Sequence, residues 1–248
     1  QFEVAPGIYW LRMPLPFQLN HINLWLLRDG DGWTIVDTGF ANDAVRDIWR
    51  PVIAALDGPV HRLIVTHFHP DHLGLATWLM EETGAQLWMT SGEFLTAHVV
   101  WNEVGGHGAR FMVEQFRQHG LEAERLAKFE KRGSGYRLAV PALPEHYHRL
   151  KAGDTVAVDG KKWRILIGHG HSPEHMALYC AELGVLISGD MLLPKISTNI
   201  SVFAATPEAD SLGWFLESLQ ELAGEMPEKT LVLPSHGLPF TGIQARVE

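Results

Sequence analysis

Residues 67 to 72 of this 248-residue chain read His-Phe-His-Pro-Asp-His, directly after the strand-like run Leu63-Ile64-Val65-Thr66. Packing does not account for three imidazoles and a carboxylate in so short a stretch. Side-chain direction alternates along an extended segment, so His67 and His69 project to the same side. Pro70 stiffens the turn, and Asp71 and His72 fall where a helix, predicted from Leu73 to about Thr83, begins. Their side chains then fold back over the same spot. Such a set suits Zn, Fe or Mn better than Ca or Mg, which prefer oxygen ligands.

Three later segments repeat the arrangement, each placing a capable residue just past an apolar run and in a Gly- or Pro-bearing loop. They are Gly170-His171-Ser172-Pro173-Glu174-His175 after Trp163 to Ile167, Ser188-Gly189-Asp190 after Val185 to Ile187, and Ser235-His236-Gly237 after Leu231 to Leu233. Loops at strand ends are where rigid scaffolds carry function, and four loops on one edge can converge on one point. On spacing alone, His169 competes with His171. No Ser or Cys triad accompanies these residues.

The elements that must position them read as strands over Ile8 to Met13, Ile22 to Arg28 and Trp33 to Asp37, with a hairpin turn at Asp29-Gly30-Asp31-Gly32. Asn42 to Leu56 has helical spacing, with Asn42 as N-cap and Pro51 as a kink. Strands follow at Leu63 to Val65 and Gln86 to Met89. From about residue 94 to 150 the pattern changes to helical segments joined by Gly105-Gly106, Gly108 and Gly133-Ser134-Gly135. Strands resume at Thr155 to Val158, Trp163 to Ile167, Ala177 to Cys180 and Val185 to Ser188. A helix from Glu208 to about Ala223 and a strand at Thr230 to Leu233 complete the pattern. The order predicts an α/β sandwich of two sheets covered by helices.

The chain is long enough for a substantial core, and no apolar run would span a bilayer. Its 20 basic and 29 acidic residues give a net charge of -9, against a nonspecific nucleic-acid binder; bound divalent cations would offset part of that charge. Cys180 is the only cysteine, so no intrachain disulfide forms and the cytosol is the default compartment. No signal peptide is visible at the start, and the first residue, Gln1, is compatible with a processed or trimmed N-terminus.

His67-x-His69-x-Asp71-His72, followed in order by His171, Asp190 and His236, resembles the full ligand set of the metallo-β-lactamase superfamily. Asp37-Thr38-Gly39 is similar to that family's first motif, with Asp37 hydrogen-bonded near the site. The family pattern, Gly-His-Ser/Thr with a second His four positions on, favours His171 as ligand and His175 as its neighbour. The resemblance implies a single domain over 1–248, a four-layer αββα sandwich with a helical insert at about 94–150. It further implies two divalent ions, Zn first with Fe or Mn as alternatives. His67, His69 and His171 would hold one, Asp71, His72 and His236 the other, with Asp190 bridging. A metal-bridging hydroxide would attack a carbonyl or phosphoryl centre, and Asp71 would orient it and pass its proton to the leaving group.

Departures narrow the branch. Asp190 stands where the zinc-binding Cys of the hydrolytic lactamases would serve. Met191 to Ser197 lacks the Gly-Cys-Gly-Arg-type segment of glyoxalase II and persulfide dioxygenases, and Leu193 replaces the Tyr of the lactonases. The chain also stops soon after His236, without the C-terminal substrate domain of glyoxalase II. The expectation is a general metal-dependent hydrolase with a glyoxalase II-like core, acting on an ester or thioester. A lactonase, a phosphodiesterase and a mononuclear iron oxygenase are the alternatives. The expected partner is a small molecule, with neither nucleic acid nor membrane; a homodimer is compatible with the sequence, which does not fix assembly. Lys195 is placed to hold a substrate carboxylate or phosphate, and the Phe- and Trp-bearing insert to cover an apolar pocket.

Overall fold

The computed structural model describes residues 2–132 and 135–248, so Gln1 and the Gly133-Ser134 part of the glycine linker lie outside the described residues. Two sheets form. The first runs β1 (Phe2–Ala5), β2 (Ile8–Pro14), β3 (His21–Asp29), β4 (Gly32–Val36), β5 (Val60–Ile64), β6 (Gln86–Thr90) and β7 (His148–Leu150) in spatial as in chain order. Its first four strands are antiparallel and β4 to β7 are parallel. The second sheet has the order β12 (Leu231–Pro234), β11 (Val185–Gly189), β10 (His175–Cys180), β9 (Lys161–Gly168), β8 (Thr155–Val158), with β11 and β12 parallel.

Strand side chains alternate between faces, and here both faces are apolar because both are covered. Trp25, Leu27, Val36 and Ile64 of the first sheet meet Trp163, Ile165, Met176, Leu178 and Ile187 of the second in one core. The opposite face of the first sheet (Leu24, Leu26, Ile35, Leu63) packs on Val45 and Trp49 of α1 (Asp43–Ala54) and on Leu79 of α3 (Ala76–Thr83). The outer face of the second sheet meets Leu222 of α8 (Ser211–Glu225) and Ile243 of α9 (Ile243–Val247). The layers are therefore helix, sheet, sheet, helix, as expected. Among the described residues no helix is long and apolar enough to cross a membrane.

Local chemistry sets the boundaries. Asn42 caps α1 by accepting from the Val45 N–H at 2.9 Å, and the helix continues through Pro51. The helix predicted from Leu73 to Thr83 is split into α2 (Pro70–Leu73) and α3. Its break has a cause: the Leu75 N–H turns aside to Gly39 O and Thr38 Oγ1, both at 3.2 Å. At Gly74 a Cβ would lie 2.3 Å from Pro70 O and 2.8 Å from Gly39 O, so only glycine passes. Helix α8 begins at Ser211 rather than Glu208, because the Asp210 carboxylate caps Gly213 N–H at 2.9 Å.

The helical segment comprises α4 (Ser91–Trp101), α5 (Ala109–Gln118), α6 (Ala123–Arg132) and α7 (Tyr136–Ala139). It begins a few residues before 94, and its expected end belongs to the first sheet, since β7 pairs with β6. Ala97, Tyr136 and Val140 pack on Phe68, Leu73 and Ala76 beside the histidine loop.

Candidate metal centre

The candidate residues follow the carboxyl ends of strands: Asp37 after β4, His67 to His72 after β5, His171 after β9, Asp190 after β11 and His236 after β12. Parallel strand pairs place these ends on one edge, the usual place for a site in such sheets. There the residues gather into two groups, His67, His69, His171 and Asp190 in one, and Asp71, His72 and His236 in the other.

In the first group His67 Nε2 lies 3.0 Å from His69 Nδ1 and 3.1 Å from His171 Nε2. In the second, Asp71 Oδ2 lies 3.8 Å from His72 Nε2 and 3.5 Å from His236 Nε2. Asp190 faces both. Its Oδ2 is 3.4 Å from His171 Nε2 and 3.9 Å from His67 Nε2, and its Oδ1 is 3.3 Å from His236 Nε2 and 3.6 Å from His72 Nε2. A tetrahedral ion with bonds of about 2.0–2.1 Å to nitrogen has ligand–ligand edges of roughly 3.3 Å, so both groups fit a cation. Two buried atoms aimed into the centre, His72 Nε2 and Asp190 Oδ1, have no hydrogen-bond partner among the described residues, which is what a cation's ligands would show.

The ring tautomers follow from their outer partners. Carboxylate and carbonyl oxygens only accept, so Nδ1–H of His72 donates to Asp37 Oδ2 (2.8 Å), that of His171 to Asn199 O (2.7 Å) and that of His236 to His21 O (2.8 Å). In its neutral form each ring leaves an Nε2 lone pair toward the centre, the orientation metal-binding histidines require. Burial, followed by neighbouring imidazoles, holds His67 and His69 well below the ordinary histidine range. Burial also opposes charge on His72 and His236, yet nearby carboxylates outweigh it and hold both above that range. Asp190 is buried too, but His72 and His236 keep its carboxyl well below the usual carboxylate range.

Of the two competing histidines, His171 reaches the centre; His169 is turned away, with Nδ1 on Pro173 O at 2.8 Å. His175 stands behind the centre, its Nε2 accepting the Asp190 N–H at 3.0 Å. Lys195 is exposed in the loop after β11 and makes no hydrogen bond or ion pair among the described residues. Sequence reasoning missed Asn23, Glu93 and Tyr136. Asn23 Nδ2 donates to Pro234 O and Gly237 O around His236, at 2.8 and 2.9 Å. Glu93 accepts the Phe68 N–H at 2.9 Å, and Tyr136 Oη donates to Phe68 O at 2.6 Å. Each lies far along the chain from the loop it holds, so no local pattern marks it.

The profile of the metallo-beta-lactamase superfamily matches residues 18–236. The chain is 25% identical to the probable metallo-hydrolase YqjP of Bacillus subtilis, over 96% of this chain and 74% of that protein. It is 28% identical to the hydroxyacylglutathione hydrolase GloC of Haemophilus influenzae, over 71% of this chain and 68% of the relative. A beta-lactamase domain protein from Burkholderia ambifaria, known from its crystal structure, is 49% identical, with a TM-score of 0.86 over 99% of this chain and 73% of that one. On profile, fold and a His/Asp cluster able to bind metal, the chain belongs to the metallo-β-lactamase superfamily.

Proposed function

We propose that this chain is a binuclear metal-dependent hydrolase of an ester or thioester. The observation that carries the reading is the Asp190 carboxylate, one oxygen facing each ligand group. His67, His69 and His171 would hold one ion and Asp71, His72 and His236 the other, with Asp190 shared. Zn is the first candidate, and Fe or Mn the alternatives. Such ions, when bound, supply Lewis acidity and a water acidified enough to attack near neutral pH.

The protein's own part is orientation and proton handling. Asp71 has the more exposed carboxylate of the two in the centre, 21% against 11% for Asp190. It is placed to orient the attacking water and accept its proton. The water oxygen adds to the acyl carbon, the bond to sulfur or oxygen breaks, and the proton passes to the leaving thiolate or alkoxide. The Haemophilus relative supports the thioester choice, because hydroxyacylglutathione is a thioester. Lys195 is the candidate contact for a substrate carboxylate; Lys195→Ala is then expected to raise KM with little change in kcat.

The test is a hydrolysis panel on protein reconstituted with Zn, Mn or Fe: acyl thioesters, aryl esters, lactones, a β-lactam and a phosphodiester, with Asp190→Ala protein alongside. Thioester or ester turnover that is lost in Asp190→Ala supports the reading. Equal turnover by the variant, or turnover of the phosphodiester alone, overturns it.

A further inference from the structure

Glu93 sits in the first turn of α4 with a fully buried side chain. Its Oε2 accepts the Phe68 N–H at 2.9 Å, and its Oε1 accepts both the Ser172 hydroxyl and the Glu174 N–H at 2.7 Å. Phe68 separates His67 from His69, and Ser172 follows His171. One carboxylate therefore ties together the two loops that carry the three imidazoles of the first ligand group.

The tie is reinforced from both sides. Tyr136 of α7 donates to Phe68 O at 2.6 Å, so the backbone of Phe68 is gripped at its N–H and at its carbonyl. Glu174 returns the contact: its Oε2 accepts the Gly92 N–H at 2.7 Å, and its carbonyl accepts the Thr90 hydroxyl at 3.0 Å. Burying a carboxylate is costly unless donors surround it. Three do so here, and all three belong to the ligand loops. Glu93 makes no hydrogen bond to Asp71, His72 or His236.

We infer that Glu93, assisted by Tyr136, is a positioning residue that sets the spacing of His67, His69 and His171, and so the affinity of that ion site independently of the other. The helical segment thus serves the metal centre through its first and last helices, whatever it does for substrate. The inference rests on the binuclear reading above.

Metal-free parent and Glu93→Gln proteins would be titrated with Zn(II) against a chromophoric chelator, with Co(II) absorption reporting the ligand set. The parent is expected to bind in two steps. In Glu93→Gln one step should weaken about 10- to 100-fold, as expected for partners that orient ligands, while the other stays within about twofold. In a His236→Ala background, where only the first group is intact, the same loss should appear in the single remaining step. If Glu93→Gln does not fold, Tyr136→Phe and Ser172→Ala each remove one hydroxyl from the same grip and should weaken that step by roughly 2- to 10-fold. Unchanged steps in a folded variant, or equal weakening of both, overturn the inference. A parent that takes up fewer than two ions overturns the binuclear reading instead, so the two failures are distinguishable.

Discussion

Asp37 Oδ2 accepts the Nδ1–H of His72 at 2.8 Å, and both side chains are buried. The other Asp37 oxygen accepts the Thr66 N–H at 2.8 Å, so one carboxylate fixes the His72 tautomer and the backbone entering the histidine loop. Asp37 does this from φ +63°, a left-handed conformation that non-glycine residues seldom adopt. Asp37→Asn is expected to keep the fold but turn an amide N–H toward His72 Nδ1. The proton then moves to Nε2 and blocks it as a ligand. Affinity for the second ion should fall about 10- to 100-fold, which stepwise Zn(II) titration would read. Unaltered affinity would contradict the role of this bond.

Asn23 holds the backbone on either side of His236. Besides donating to Pro234 O and Gly237 O, it accepts the Trp10 indole N–H at 2.8 Å. Asn23→Ala leaves these groups unpaired and should cost about 2–4 kcal/mol, measured by denaturant unfolding of the metal-free protein. A cost under about 1 kcal/mol would mean that water replaces the amide without penalty.

Gly74 tests the packing of the histidine loop against the Asp37-Thr38-Gly39 turn. The nearest neighbours of an added Cβ are backbone atoms, with Ala41 N at 2.9 Å beyond the two carbonyls already named. No side chain can swing away to make room. Gly74→Ala is therefore expected to destabilise the fold by roughly 2–4 kcal/mol and to lower metal uptake with it. A thermal melt matching the parent would show that the turn yields.

The two ion sites should differ in their response to pH. A ligand imidazole must be neutral. His67 and His69, with lowered pKa values, are already neutral in metal-free protein near pH 7. His72 and His236, held above the ordinary range by the nearby carboxylates, keep their protons to higher pH than an ordinary imidazole. Filling the second site must expel those protons, so its affinity should climb with pH through the neutral range. The first should be flatter over the same range. Calorimetric titration in two buffers of different ionisation heat would count the protons; equal release at both steps would contradict the assignment.

Much of the frame was legible because it is written in local pattern. The Asp-Gly pairs between apolar runs mark the turn between β3 and β4, and the short apolar runs that lead to His67, Asp190 and His236 mark strands whose ends meet at the centre. Where tertiary contact competes with local pattern, the reading was less complete. The helix after the histidines breaks because Leu75 bonds to Gly39, more than thirty positions away. Strand β7 is three residues long and forms only because β6 offers its edge. Asn23, Glu93 and Tyr136 are single polar residues in otherwise ordinary elements, and only the folded chain reveals what they hold.

The shared-carboxylate centre is tested most directly by the metal stoichiometry of parent and Asp190→Ala proteins after reconstitution and gel filtration, with thioester hydrolysis followed in the same samples. Two ions per chain are expected in the parent and fewer than two in Asp190→Ala, with hydrolysis only in the parent. One ion per chain in an active parent, or full hydrolysis by Asp190→Ala, would contradict a centre built around a shared carboxylate.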